Sequence, residues 1–116
     1  MNEYTPDRWV VVRIDTNKET LYKVFACWYG SFGGSDSWKM NSGITKVIEN
    51  DNHYLFEGYS GSVYKCYKQS YGTSSYGGSV LNRFIEEAAK DGFTIEMLPE
   101  ETKFIEINYE GTNESC

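Results

Sequence analysis

The sequence predicts an α+β fold, an antiparallel sheet of about six or seven strands with one helix packed on one face. Short runs rich in β-branched and aromatic residues recur along the chain, separated by Gly, Ser, Asn and Asp clusters. Only one segment, near residue 80, repeats its apolar residues at helical spacing. A length of 116 residues suits a single domain, residues 1–116.

The first two predicted strands carry the strongest β pattern. Trp9 to Asp15 is a β-branched run in which Val10, Val12 and Ile14 share one face. Leu21 to Tyr29 has almost no polar break, which is typical of a central strand covered on both faces. A glycine-rich loop over residues 30–37 follows.

Three more strands are expected before the helix, at Ile44–Glu49, Tyr54–Tyr59 and Ser62–Lys68. In the first of them, alternation puts Ile44 and Ile48 on one face and Val47 on the other. Ser60 and Gly61 predict a two-residue hairpin turn of the primed type.

The helix is expected from about Ser79, as its N-cap, to Lys90. Its apolar face is formed by Leu81, Phe84, Ile85 and Ala88, and Gly92 suits a left-handed position after its end. Two further strands are expected, over residues 93–98 and 103–109. Residues 111–116 are expected to fray.

The net charge of −6 is concentrated in the last third of the chain. From Glu86 to the end there are two basic and nine acidic residues, which argues against nucleic acid as the partner of that region. The acidic residues are interpreted as a solvated surface, or alternatively as a face for a basic partner or a mimic of nucleic acid.

Cysteine usage and hydropathy predict a cytoplasmic protein that does not enter a membrane. Cys27 and Cys66 lie within strand patterns and should be reduced and buried, with Cys116 free near the end. No apolar segment approaches the roughly 18–20 residues that span a bilayer.

The chemistry-bearing residues do not predict an enzyme. The sequence has one histidine, His53, at a predicted turn, where a solvent-exposed side chain is the simpler interpretation than a Cys–His catalytic pair. The cysteines stand alone rather than at zinc-ligand spacing. Neither a metal nor any other cofactor is expected.

One segment could hold an anion. Gly77, Gly78 and Ser79 open the predicted helix, where free N–H groups and the positive end of the helix dipole favour phosphate, and Arg83 lies one turn on. Ordinary helix capping explains the same residues. This segment is the basis of an alternative hypothesis, a small-ligand or nucleotide binder.

Tyr residues set among Gly and Ser are typical of binding loops, because Tyr gives rigid contact area beside adaptable hydrogen bonds. We expect such a surface on the outward side of the fifth predicted strand and the loop that follows it. The expected contact residues, with one aromatic that directly follows the first glycine-rich loop, are Tyr64, Lys68, Tyr71, Tyr76 and Trp38.

The segments RWVVVRI, VFACWYGSFGGSDSWKMNSGI and YLFEGYSGSVYKCYKQSYG resemble small uncharacterised accessory proteins of tailed bacteriophages. The resemblance covers roughly residues 4–80 and is carried by the SWKMNSGI and SGSVYKC pieces. It brings no defined activity. It implies a viral accessory or anti-defence factor that occupies a host protein in the bacterial cytoplasm, which is the main functional hypothesis.

Overall fold

The structure, a computed structural model, describes residues 2–30 and 34–110 and forms an α+β fold, as predicted. Within the described residues it contains eight strands and one α-helix. The elements are β1 (Glu3–Tyr4), β2 (Arg8–Asp15), β3 (Thr20–Trp28), β4 (Ser37–Met40), β5 (Ile44–Glu49), β6 (His53–Gly58), β7 (Val63–Tyr67), α1 (Ser75–Lys90) and β8 (Thr94–Met97).

The strands form two four-stranded sheets rather than the single sheet expected. The central sheet has the order β4-β3-β2-β8 and the outer sheet the order β1-β7-β6-β5. All neighbouring strands are antiparallel except β1, which runs parallel to β7. The central sheet lies between α1 and the outer sheet, so the molecule has three layers.

Strict alternation along β2 explains the three layers. Trp9 and Val11 point into the core shared with the outer sheet, whereas Val10 and Val12 point into the core shared with α1. The prediction that Val10, Val12 and Ile14 share a face is confirmed. The strand β3 is likewise covered on both faces, as expected of a central strand.

The helix begins four residues before its expected cap. Ser74 is the N-cap and its Oγ accepts a hydrogen bond from the Gly77 N–H at 2.9 Å, so Ser79 lies inside the helix. The early start is possible because Gly77 has no side chain: a Cβ there would lie 2.3 Å from the Sγ of Cys27. The first turn therefore packs directly on β3.

The end of α1 agrees with the prediction. Gly92 has a φ of +83°, and its N–H bonds to the carbonyl of Ala89 while the Phe93 N–H bonds to that of Ala88. These two bonds form a Schellman motif, which satisfies carbonyls that the helix leaves free.

Two expectations about the outer sheet are wrong in detail. A bulge between Ile44 and Lys46 puts Ile44 and Val47 in the same core and turns Ile48 outward. The β6–β7 connection, residues 59–62, has four residues rather than two. The Gly58 N–H donates to the Ser62 carbonyl across it, and Gly61 takes a positive φ of 91°. This is the geometry of a turn followed by a left-handed glycine.

Two short strands and the C-terminal segment differ most from the prediction. Neither β1 nor β4 was expected, and the strand expected over residues 103–109 is instead a 3₁₀ turn, Phe104–Glu106. Phe104 is 1% exposed and Tyr109 donates its hydroxyl to the Phe104 carbonyl, so this segment folds back on itself instead of joining a sheet. The expected fraying tail, residues 111–116, lies outside the described residues.

Cys27 and Cys66 are both buried, as predicted, and within the described residues neither forms a disulfide. Burial raises the pKa of the Cys66 thiol well above its ordinary value. Cys116 lies outside the described residues. In this same part of the chain, no helix has the length and apolar character needed to cross a membrane.

The contact between Gly77 and Cys27 gives a first prediction. Gly77→Ala should lower the free energy of unfolding by about 2 kcal/mol, because the new methyl group overpacks the helix–sheet interface. Urea denaturation measures the change. Gly78→Ala is the matched control, since its Cβ would meet only the Thr73 side chain, at 3.0 Å from Oγ1.

Pairing Gly77→Ala with Cys27→Ala should recover part of the lost stability, because the sulfur that the methyl meets is gone. Equal stability of Gly77→Ala and the unaltered protein would contradict the packing described here.

Candidate binding site around Lys68

The site is built on an aromatic cluster centred on Trp9. Its ring centroid lies 5.9 Å from that of Tyr54, 5.5 Å from Phe56, 4.7 Å from Tyr71 and 5.7 Å from Phe104. The Trp9 side chain is almost fully buried. The cluster thus joins β2 of the central sheet to β6 of the outer sheet and to the C-terminal segment.

Hydrogen bonds hold the same cluster in place. The Trp9 indole N–H donates to the Tyr67 carbonyl at 2.6 Å, and the Trp9 carbonyl accepts from the Gly72 N–H at 2.8 Å. The Tyr71 hydroxyl donates to the Leu98 carbonyl and accepts from the Val11 N–H. The polar side-chain atoms that Trp9 and Tyr71 bring into the core therefore have partners, as burial requires.

Four of these rings enclose a crevice of about 120 Å³. Its walls are Trp9, Tyr54, Tyr71 and Phe104, and it is also lined by the half-buried Lys68 and the exposed Glu100. An open polar depression of about 710 Å³ shares Lys68 and is lined by residues 49–53, which include the β5–β6 turn and the strand residue on each side of it. We refer to the crevice and the depression together as the Lys68 site.

Lys68 is held between a carboxylate and an aromatic ring. Its Nζ lies 2.7 Å from the Glu49 Oε2 and 5.1 Å from the centroid of the Tyr54 ring. The hydrogen bond that Lys68 donates to Glu49, more than any other contact, raises the pKa of Lys68. The ammonium group is therefore charged at neutral pH and has a defined position.

The tyrosines of the site stay neutral at ordinary pH. Burial raises the pKa of Tyr71 to about 12, and the charge of Glu100 acts in the same direction. Burial also raises the pKa of Tyr54, again helped by a carboxylate, that of Glu49. In both cases burial is the main cause of the raised pKa, and the nearby carboxylate makes a smaller contribution.

His53 lies in the depression but is oriented by amides rather than by a nucleophile. Its Nδ1 lies 2.8 Å from the Asn52 Oδ1 and its Nε2 lies 3.0 Å from the Asn50 Nδ2. Because an amide nitrogen only donates, Nε2 accepts and Nδ1 carries the proton, given these amide orientations. Cys66 points to the opposite face of the outer sheet, so the two do not form a pair.

Across residues 2–30 and 34–110, no three His, Cys, Asp or Glu side chains are grouped as a metal site.

Lys68 and Tyr71 are the two predicted contact residues that the fold brings together. Tyr64 was expected on the outward face of its strand, and this is wrong: it is 2% exposed and packs between the sheets. Its strand alternates in the opposite sense, with Val63, Lys65 and Tyr67 outward. Burial raises the pKa of Tyr64 to about 12.

The other two predicted contact residues lie on the α1 side of the central sheet. Trp38 stacks on Phe25 at 5.5 Å and meets the edge of Phe84, which makes it a half-buried part of the helix–sheet core. Tyr76, in the first turn of α1, is 47% exposed. Neither lines the crevice or the depression.

The predicted anion site is not formed as expected. The Gly77 N–H donates to the Ser74 Oγ and the Gly78 N–H to the Ser74 carbonyl, while the Ser79 hydroxyl donates to the Ser75 carbonyl. These donors are committed to the helix itself, because α1 starts earlier than predicted. Arg83 is exposed on the helix surface.

Sequence reasoning missed Trp9, Tyr54, Glu49 and Glu100 as site residues. The first two were assigned to strands, and their meeting depends on how one sheet packs on the other. One available signal was the alternation along β2. Trp9 and Val11 are two residues apart, so they share a face, and this puts the indole ring between the two sheets. No local pattern relates Glu49 to Glu100, which are brought to the same crevice by tertiary folding.

No protein-family model, curated protein or solved structure matches this chain.

The different burial of two tyrosines gives a second prediction. Tyr71→Ala should lower the free energy of unfolding by about 3–5 kcal/mol, since it removes a packed ring from the Trp9 cluster. Tyr76→Ala, which truncates an exposed ring, should change it by no more than about 0.5 kcal/mol. Chemical denaturation of both variants measures the difference, and equal stabilities would contradict the assignment of Tyr71 to the core.

Proposed function

We propose that this chain is a non-enzymatic binding protein that occupies another protein through the Lys68 site. The resemblance to phage accessory proteins supports a viral accessory or anti-defence role, with a bacterial host protein as the partner in the cytoplasm. The observation that carries the proposal is a set of carboxylates gathered around an aromatic crevice.

The charges around the crevice favour a basic partner. Glu49 is the last residue of β5, Asp51 lies in the β5–β6 turn and Glu100 lies in the segment after β8. All three lie close to Lys68. Three carboxylates against one ammonium leave the site negative. Complementary charge at the rim of an interface speeds association and selects the partner.

The shape of the site favours a protein surface over a nucleotide. Ligand pockets are commonly enclosed spaces of about 300–1,000 Å³, whereas the crevice has about 120 Å³ and the larger depression is open. Aromatic side chains beside a polar, accessible margin are the usual composition of an interface hot spot.

Reversing the charge of two carboxylates at the Lys68 site tests the proposal. Asp51→Lys combined with Glu100→Lys should weaken partner binding by at least about tenfold, because two attractive contacts become repulsive. Tagged protein is used to capture partners from bacterial lysate, and affinity for the captured protein is then measured by calorimetry.

The matched control is Glu86→Lys combined with Glu87→Lys. It changes the net charge equally, on the exposed face of α1, on the other side of the central sheet. A partner lost with the first pair and retained with the second supports the proposal. A partner that binds both variants equally would overturn the assignment of this site.

A further inference from the structure

A separate cavity of about 210 Å³ lies near the start of β7, whereas the crevice and the depression lie near the end of that strand. The β4–β5 loop contributes Asn41 and Ser42 to its lining, and the β6–β7 turn contributes Ser60 and Ser62. Lys39 of β4 also lines this space, which we call the Lys39 cavity. In the described chain it shares no lining residue with the Lys68 site.

Asn41 brings a buried amide with an unused donor to this cavity. Its side chain is 4% exposed, and its Oδ1 accepts the N–H of Val24 at 2.9 Å and that of Gly43 at 3.3 Å. Two backbone donors on one atom establish that this atom is the oxygen. Nδ2 is buried without a hydrogen-bond partner in the described chain. Because buried polar groups are nearly always hydrogen-bonded, an acceptor from outside the chain is expected beside it.

Gly58 leaves room for such an acceptor. A Cβ at this position would lie 3.1 Å from Asn41 Nδ2 and 2.9 Å from Ser42 Oγ, so glycine keeps open a space next to two side chains that line the cavity. The Gly43 carbonyl oxygen lies 3.3 Å from the same point. Donors together with one acceptor suit a ligand whose oxygens include a hydroxyl group.

The serine hydroxyls add further donors. Ser42 Oγ accepts the Ser60 N–H at 2.9 Å, which fixes the oxygen and leaves its own hydrogen to donate. The hydroxyl oxygens of Ser60 and Ser62 lie 3.5 Å apart, so a hydrogen bond between them uses only one of their two hydrogens. Hydroxyl donors are therefore supplied by both loops that line the cavity.

The one charged side chain among those described as lining this cavity is positive. The Nζ of Lys39 lies 5.2 Å from the centroid of the Tyr4 ring, and an ammonium group held over a ring still has N–H groups to donate elsewhere. Within the described residues no carboxylate forms an ion pair with it. The Lys39 cavity therefore has the opposite charge to the Lys68 site.

We propose that the Lys39 cavity binds a phosphate group. The Lys39 ammonium offsets its charge, while Asn41 Nδ2 and the hydroxyls of Ser42 and Ser62 donate to its oxygens. A tetrahedral oxyanion accepts hydrogen bonds from several directions, and a protonated phosphate oxygen can donate to the Gly43 carbonyl. The volume suits a phosphate with a few further atoms, since pockets for larger ligands have about 300–1,000 Å³. This site is independent of the proposed function.

The test titrates inorganic phosphate, acetate and chloride at neutral pH and constant ionic strength. Binding is followed by NMR through the Asn41 side-chain amide and the Ser60 backbone amide. Phosphate should shift both resonances saturably in the millimolar range, and acetate, with fewer oxygens and less charge, should bind at least about fivefold more weakly. Equal shifts with all three anions, or no saturable shift with phosphate, would overturn the site.

Two lysine variants test the role of charge. Lys39→Met should weaken phosphate binding at least about fivefold, because a charge-assisted hydrogen bond is lost. Lys46→Met is the matched control, since Lys46 is exposed on β5 and does not line the cavity. Unchanged binding by the first variant, or equal losses in both, would contradict the inference.

Asn41→Asp tests the buried donor with almost no change of shape. A carboxylate oxygen replaces Nδ2, so phosphate binding should become undetectable through the Ser60 amide. Thermal unfolding of the variant checks that it is folded, and a folded variant that still binds phosphate would overturn the role of Asn41. Should it fail to fold, the two lysine variants decide the question.

Comparing inorganic phosphate with glycerol 3-phosphate distinguishes the two sources of this chemistry. Tighter binding of the ester supports a phosphate that is the head group of a larger molecule. Tighter binding of inorganic phosphate supports the free ion as the ligand.

Discussion

The indole ring of Trp9 lies where the central sheet, the outer sheet and the C-terminal segment meet. Its faces and edges contact aromatic rings from β6, from the loop before α1 and from the 3₁₀ turn, and its N–H bonds to the Tyr67 carbonyl. Trp9 packs one face of the central sheet against the outer sheet, while the neighbouring Val10 and Val12 pack the other face against the helix. The three-layer architecture and the crevice both follow from this packing.

Local patterns predicted most of the regular elements. Apolar runs located β2, β3, β5, β6, β7 and β8, and Gly92 located the end of α1. The start of α1 was missed because Ser79 is as good a cap as Ser74 on local chemistry, and only the fit of Gly77 against Cys27 distinguishes them. The bulge after Ile44 and the pairing of the short strands β1 and β4 depend on long-range contacts, which a single sequence does not reveal.

The site was predicted only in part, because it too depends on long-range contacts. The fifth predicted strand and the loop after it did contain Lys68 and Tyr71. Tyr64 was assigned to the outward face of that strand, but it is buried. A Tyr on an alternating strand serves a core or a surface equally well, and the choice depends on which face a second sheet covers. The acidic last third of the chain was noticed, yet its contribution of Glu100 beside Lys68 comes from tertiary folding alone.

Hydrogen exchange of the Trp9 indole N–H tests the central role of this residue most directly. If Trp9 joins the two sheets, its N–H should exchange only through global unfolding, with an opening free energy equal to that from denaturation and the same dependence on denaturant. Exchange through a smaller local opening, faster than that of the buried amides at the centre of β2, would show that the sheets separate without unfolding. That result would contradict a preformed crevice built on Trp9.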